Sequence, residues 1–468
     1  MKIVFPYIAQ FHQIPHSLPI AIELARRHPE CEVHIAYPGE RYLPFIQRLV
    51  NEYAPGVPLH FDCLRLDPIN RARVASERLA WKQFALWLNR DYFNGFDAIA
   101  TPERTSLFLR RIGVTRPKLI WTRHGAGDRE IGFAKDVVKF DFVLMAGHRI
   151  EKRLLEKRLI RPGDYAVGVY AKFDWLRPGA SAAPHLFDND RPTVLYNPHF
   201  RGSLSSWPHF GMSVLEQFAD SQRYNLIFAP HVRLFDPPRA SNLKPFQRFV
   251  GLPHLHIDLG SERSIDMSYT RAADLYLGDV SSQVSEFVFR PRPCLFLNAH
   301  GVEWQRDPSY GFWQLGPVSN TAAAIEHQVS LAFDAHHDYL DVQRRYIDET
   351  FALPPGSCSA AGGAGAIVAF LRRSALRQTL TSVPRPPAPG PVAADALVGQ
   401  IMDGNYDAAS GRFGPSTMAP TVYASTVHVG QGDGPTVSAE AWAAALDAPP
   451  AAGTQDAPRR VPAALGIP

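Results

Sequence analysis

Four polar clusters in this chain each follow directly on a short apolar run. They are His124-Gly125, the pair His199 and Arg201, the pair His231 and Arg233, and the stretch from Asp279 through Ser281 and Ser282 to Glu286. Histidine after a strand can take a proton from a hydroxyl near neutral pH. Gly125 lets backbone or substrate come close. An arginine such as Arg201 can hold a diphosphate and offset charge on a departing nucleotide. His231 can donate to a phosphate oxygen. Small hydroxyl residues such as Ser281 and Ser282, placed between a strand and a helix, put backbone N–H groups and the positive helix end where a phosphate would sit. Glu286, a turn further on, suits a ribose hydroxyl. Each cluster also has a plain structural role open to it: a capped helix, a loop histidine bonded to backbone, a surface arginine. With 18 histidines in the chain, any single one is more often structural.

The elements that position these residues repeat a strand–helix rhythm. Lys2–Ile8 reads as a strand, and the polar loop after it carries His12 and His16, which would border a cleft from the acceptor side. Ser17 then caps a helix over 18–27 that has Pro19 in its first turn. Cys31–Tyr37 is the next strand, which completes a βαβ opening. A long amphipathic stretch is predicted over 70–93. Further strands are expected at 96–101, 118–122 and 140–145. A link between halves lies near Gly163–Asp174, and the same rhythm restarts with strands at 193–196, 225–229, 256–259, 274–277 and 294–297. Helical patterns follow at 321–351 and 364–373. After about residue 380 Pro, Ala and Gly dominate without periodicity, which predicts a mostly disordered tail apart from a short ordered patch at 421–429.

The expected fold is therefore α/β: two Rossmann-like, doubly wound domains facing across a cleft. Residues 1–170 would form the acceptor domain, 171–375 the nucleotide-donor domain and 376–468 the tail. Ligands in such sheets bind at the carboxyl ends of strands, where all four clusters fall.

Composition narrows the function. At 46% hydrophobic and 20% charged the chain is globular, and a net charge of +4 suits anionic substrates or a membrane face but does not signal nucleic acid. The four cysteines are scattered without a CxxC pair, as in a reducing cytoplasm. The amino terminus enters a strand at once, and no apolar run reaches the roughly 18 residues of a membrane span. The expectation is a cytoplasmic protein, at most peripheral at the membrane. A basic run at 151–161, with Leu154, Leu155 and Leu159 on one side, could lie on anionic lipid or pack its leucines inward. There is no Walker motif, no glycine-rich dinucleotide fingerprint after the first strand and no His-Glu-x-x-His. Asp188-Asn-Asp190 reads as a solvated turn, and no clustered Cys and His suggests a metal.

Taken together, Trp121-Thr-Arg-His124-Gly125, Tyr196-Asn-Pro-His-Phe-Arg201, Ala229-Pro-His231 and Asp279-Val-Ser281-Ser282-x-x-x-Glu286-Phe, then Arg292-Pro293, resemble the CDP-glycerol glycerophosphotransferase family of teichoic-acid polymerases and primases. The Gly168-x-x-x-Lys172-Phe-Asp174 hinge is similar too. The resemblance covers roughly residues 121–296. Ala126-Gly127 stand where that family often has Thr-Pro. The resemblance implies a GT-B fold without a cofactor or catalytic metal. It implies transfer of glycerol phosphate from CDP-glycerol, or a similar nucleotide-linked donor, to a glycan or lipid-linked acceptor. It makes His124 the base, places His231 near the diphosphate, puts Ser281 and Ser282 on phosphate oxygens and Glu286 near the ribose, and matches Arg201 to the arginine after Tyr-x-Pro. On the donor side His199 and Asp279 accompany these. The 279–286 segment is also similar to the nucleotide loop of UDP-N-acetylglucosamine 2-epimerases. The rivals are thus a UDP-sugar glycosyltransferase or epimerase, and a non-catalytic envelope-assembly protein that keeps the fold and docks through its tail.

Overall fold

The structure is a computed structural model and describes residues 1–126, 130–176, 185–236, 239–281, 283–353, 358–382, 406–407 and 412–413. Ser282, the ordered patch expected at 421–429 and nearly all of the expected tail lie outside the described residues. Residues 1–371 belong to one compact unit, and residues 372–436 form a second. In the second, the two-residue strands Tyr406–Asp407 and Arg412–Phe413 pair antiparallel.

The first unit holds two fully parallel sheets. One contains β1 (Lys2–Pro6), β2 (Glu32–Tyr37), β3 (His60–Cys63), β4 (Ala98–Thr101), β5 (Lys118–Trp121), β6 (Phe142–Met145) and β7 (Tyr165–Val167), in the order 3-2-1-4-5-6-7. The other contains β8 (Thr193–Asn197), β9 (Asn225–Phe228), β10 (Leu255–Ile257), β11 (Leu275–Gly278), β12 (Cys294–Leu297) and β13 (Val318–Ser319), in the order 10-9-8-11-12-13. Both sheets are doubly wound, as expected. Their central strands are short, continuous apolar runs such as Leu226-Ile-Phe228, buried on both faces as helix-covered parallel strands must be. In each sheet the order reverses beside its first strand, β1 against β4 and β8 against β11. That switch point opens a crevice outside the carboxyl ends of the strands.

Three edge strands were invisible to periodicity. β3 reads His-Phe-Asp-Cys and is half exposed, while β7 and β13 have three and two residues. The amphipathic stretch predicted at 70–93 divides into helices Pro68–Ala75, Lys82–Leu88 and Arg90–Asn94. Buried Asn70 Oδ1 accepts from the Trp81 N–H, and the buried Asn89 amide donates to the carbonyls of Arg65 and Ala85, so side chains replace helical hydrogen bonds at both breaks. The 321–351 pattern likewise splits into Ile325–Asp334 and His336–Thr350.

A helix, Ser359–Ser382, crosses the donor-domain boundary expected at 375. In the helix Ser359–Ser382, Ala360, Ala364, Ile367, Val368, Phe370 and Leu371 pack into the core of the first sheet with Ile3, Phe5 and Ile20. The link between the halves fastens its start. Asp174 accepts from the N–H groups of Ser359 and Ala360 at 3.2 and 2.6 Å, and Ser359 Oγ accepts from the Tyr170 N–H at 2.6 Å. A carboxylate on the first N–H groups of a helix satisfies donors that have no partner inside it.

Candidate active site

The two switch points bring loops from both sheets together. The short helix Phe11–His16 after β1 supplies His12 and His16, the loop after β5 supplies His124, and the loops after β8 and β9 supply His199 and His231. The ring of His12 lies 6.2 Å from that of His124 and 5.9 Å from that of His231. His16 is 6.4 Å from His124, and His199 is 5.5 Å from His231. Histidines separated by up to 219 positions thus form one cluster across the two halves.

His124 is exposed. Arg123 before it has φ of 57°, in the left-handed region that a non-glycine residue occupies only when its surroundings hold it there. Here the buried guanidinium lies over Trp121 at 4.4 Å and donates to the Gly132 carbonyl. Gly125 follows with φ of 81°, and its N–H donates to His16 Nδ1 at 3.4 Å.

Hydrogen-bond partners assign the tautomers. His124 Nδ1 lies 2.6 Å from the Pro102 carbonyl oxygen, which can only accept, so Nδ1 carries the proton and Nε2 the lone pair. His231 Nδ1 instead accepts the Arg233 N–H at 3.2 Å, which leaves the proton on Nε2. His199 does the same with the Arg201 N–H at 3.2 Å. The cluster therefore holds a proton acceptor on one side and proton donors on the other.

Lys172 and Arg233 stand beside the cluster. Burial, then the neighbouring His231, His124, Lys172 and Arg233, holds His12 well below the usual histidine range. Burial, then Lys172, His124 and His12, does the same to His16. His12 Nδ1 is buried with no hydrogen-bond partner among the described residues. Arg233 lies over the Phe200 ring at 4.1 Å, and Arg201 is exposed beside it. A cavity of about 520 Å³ opens next to His12, between Arg41 and Phe45 of the first half and Val232 and Arg233 of the second. Glu77, Asp236 and Glu262 line it as well, so groups of both charges face the cavity.

Three donor-side residues are held by contacts within the protein. Glu286 is buried, and its oxygens accept from Lys172 Nζ at 3.0 and 2.8 Å and from Tyr170 OH at 2.7 Å. It ties the second sheet to the link between the halves. Asp279 is also buried, and its oxygens accept from the N–H groups of His199, Ser206 and Val280 and from Ser206 Oγ. Burial pushes its carboxyl up to about 6, against the pull of those hydrogen bonds. It holds the His199 loop in shape. Ser281 is buried, and its Oγ accepts from the Gln283 N–H at 3.3 Å, at the start of the short helix Gln283–Phe287. Arg292 clamps the far end of that segment, donating to the carbonyls of Thr270, Ala273 and Phe287.

Lys172 and Tyr170 had no predicted site role. The signal for Lys172 was a lone lysine in an otherwise apolar link, which burial would force to find a carboxylate.

No protein-family profile matches this chain, and no curated protein matches it. Solved structures do. The wall teichoic acid polymerase TagF, soaked with CDPG, is similar at 12% identity over 81% of this chain and 89% of that one, with a TM-score of 0.52. A UDP-GlcNAc 2-epimerase from Neisseria meningitidis, bound to UDP-GlcNAc, is similar at 14% identity over 80% and 100%, with a TM-score of 0.52. A putative UDP-N-acetylglucosamine 2-epimerase from Listeria monocytogenes matches at 16% identity over 82% and 98%, with a TM-score of 0.50. The likeness is one of fold. The chain has the GT-B fold. Within the GT-B frame, the histidine cluster occupies the cleft between the two sheets, at the carboxyl ends of β1, β5, β8 and β9.

Among the described residues, no helix is long and apolar enough to cross a membrane. The basic run at 151–161 is correspondingly simple: in its helix His148–Glu156, Ile150 and Leu154 are buried, and Leu159 beyond it is buried too. Leu154 and Leu159 face inward, whereas Leu155 is exposed.

Proposed function

We propose that this protein is a transferase that moves an alditol phosphate, in the simplest case glycerol phosphate from CDP-glycerol, onto an acceptor hydroxyl during synthesis of a cell-envelope or capsular polymer. The observation that carries this is the opposite tautomers of His124 and His231 across the cleft. His124 Nε2 takes the proton of the acceptor hydroxyl. The acceptor oxygen attacks the phosphorus that bears the alditol, and the bond from that phosphorus to the CMP oxygen breaks. His231 Nε2–H and the Arg201 guanidinium donate to the phosphate oxygens as charge moves onto CMP. Asp279 keeps the His199 loop in place beneath them. These steps draw on no metal or cofactor.

The test uses His124→Asn, whose amide cannot act as the base. Turnover should fall by at least about a hundredfold, the usual range for loss of a general base, while CDP-glycerol still raises the melting temperature as in the native protein. Equal loss of both would overturn the role of His124. The similarity in fold to the UDP-GlcNAc 2-epimerases favours a second reading, a UDP-sugar enzyme. Release of UDP rather than CMP, or stabilisation by UDP ligands alone, would select it.

We also propose a peripheral position on the cytoplasmic membrane, and a different surface carries it. Ile69, Trp81, Phe84 and Trp87 are 58, 53, 40 and 45% exposed. Phe84 stacks on Trp87 at 5.5 Å, and the Arg73 guanidinium lies over the Trp81 ring at 5.0 Å. Exposed aromatic side chains with an arginine beside them suit the interface of an anionic bilayer. Helix Pro68–Ala75 also lines the cavity beside His12, which sets a lipid-borne acceptor next to the cleft.

A further inference from the structure

At the amino ends of β2 and β3, on the opposite edge of the sheet from the cleft, side chains distant in sequence meet. His34 pairs in register with His60, and Ala36 with Asp62, while Glu32 opens β2. Alternate residues of a strand share a face, so Glu32, His34, His60 and Asp62 all project to one side. The ligating atoms of Glu32, His34 and His60 all lie within 4.8 Å of one another.

His34 is the informative residue. Its Nδ1 lies 2.6 Å from Asp62 Oδ2, and its Nε2 lies 2.9 Å from Glu32 Oε1. A neutral imidazole has one N–H, so one nitrogen would point a lone pair at a carboxylate. A cation between Nε2 and Glu32 relieves such a pairing. The remaining contacts favour the cation. Asp62 also accepts from Tyr92 OH at 2.6 Å, so it is held to accept from Nδ1 and to aim Nε2 outward. A carboxylate behind a histidine, itself hydrogen-bonded, is the outer-shell arrangement of metal-ligating histidines. His60 stacks on His34 at 4.6 Å and is exposed, so its ring can turn a nitrogen inward. Lys2 Nζ, 3.0 Å from Glu32 Oε1, would give way to the ion.

We propose that Glu32, His34 and His60 bind a divalent transition metal of the zinc class, with Asp62 and Tyr92 orienting His34. Two nitrogens and one carboxylate oxygen are the ligand types zinc takes, at about 2.0–2.2 Å. Ligands around a tetrahedral ion of that size sit about 3.4 Å apart, so His34 Nε2 and Glu32 Oε1 open slightly from 2.9 Å while His60 moves in from within 4.8 Å. The ion joins the short edge strand β3 to β2 and has no part in the transfer reaction. This inference does not depend on the proposed function.

The full-length protein, stripped with chelator and dialysed, is titrated with Zn²⁺ and separately with Co²⁺. One ion should bind per chain, with a rise in melting temperature and, for Co²⁺, the visible absorption of a four-coordinate site. His60→Gln changes an exposed side chain and should abolish the stoichiometric binding while leaving the metal-free melting temperature unchanged. Asp62→Asn should weaken binding by about tenfold to a hundredfold, as loss of an outer-shell carboxylate does. His148→Gln, another exposed histidine, should bind as the native chain does. Absence of stoichiometric binding, or binding untouched by His60→Gln, would overturn the site.

Discussion

Replacing Glu286 by glutamine keeps the shape of the side chain and removes its charge. In the native protein Lys172 and Glu286 are each 5% exposed and meet at 2.8 Å. At an effective dielectric of about 20, that contact carries roughly 6 kcal/mol of attraction, set against several kcal/mol of desolvation for each ion. The intact pair therefore contributes little net stability, but either charge alone is stranded. Glu286→Gln leaves the Lys172 ammonium buried among Tyr170 and apolar groups, and we predict a loss of about 3–5 kcal/mol. Lys172→Met should cost a similar amount. The double variant should recover at least about 2 kcal/mol over the sum of the single losses, because nothing charged remains to be paired. Urea unfolding followed by far-UV circular dichroism, extrapolated to water, measures all four chains. A Glu286→Gln chain within about 0.5 kcal/mol of native, or single losses that simply add, would refute the strut and return Glu286 to the candidates for a nucleotide ribose. Where the strut holds, glutamine at 286 lowers stability but leaves donor affinity in the folded protein intact.

The depressed pKa values of His12 and His16 give stability a defined pH dependence. Both are neutral in the native state, so their contribution is complete above about pH 6.5, where the unfolded chain is neutral too. As pH falls below that value, the unfolded chain takes up protons the native one refuses, and stability drops by up to about 1.4 kcal/mol per pH unit for each histidine. Denaturant unfolding between pH 7 and 5 should show a shallower slope for a His12→Gln/His16→Gln chain. Asp279→Ala orphans the buried N–H groups of His199, Ser206 and Val280 and should cost about 3 kcal/mol or more at about 1–3 kcal/mol per group, read from thermal or urea unfolding, with Asp279→Asn milder. Trp81→Glu/Trp87→Glu should abolish sedimentation with vesicles rich in anionic lipid while leaving the melting temperature unchanged, and binding of the native chain should weaken with salt.

The buried inner strands, the doubly wound class and the four clusters after strands were legible in the chain. Each depends on residues within a few positions of one another. Leu226-Ile-Phe228 or Leu119-Ile-Trp121 is a buried strand whatever surrounds it, and a polar residue just past its end lies at the carboxyl edge of a parallel sheet. Where local pattern and packing disagreed, packing won. β3 carries no apolar run because it is an edge strand, and the helix from Ser359 belongs to the first sheet because that sheet leaves an apolar face around Ile3 and Ile20 uncovered.

Tertiary structure alone decided which of the candidate residues meet and what each is free to do. His12, His124 and His231 cluster because two switch points face one cleft. Glu286 and Asp279 read from the chain as ligands for a nucleotide, yet both are satisfied internally, by Lys172 at a separation of 114 positions and by the His199–Ser206 backbone. His34 and His60 show no metal-ligand spacing and become neighbours only through the pairing of β2 with β3. A buried charge must find a partner, and that partner is set by which strands pair and which faces pack. Those choices are settled by the free energy of the whole fold rather than by any local stretch of sequence.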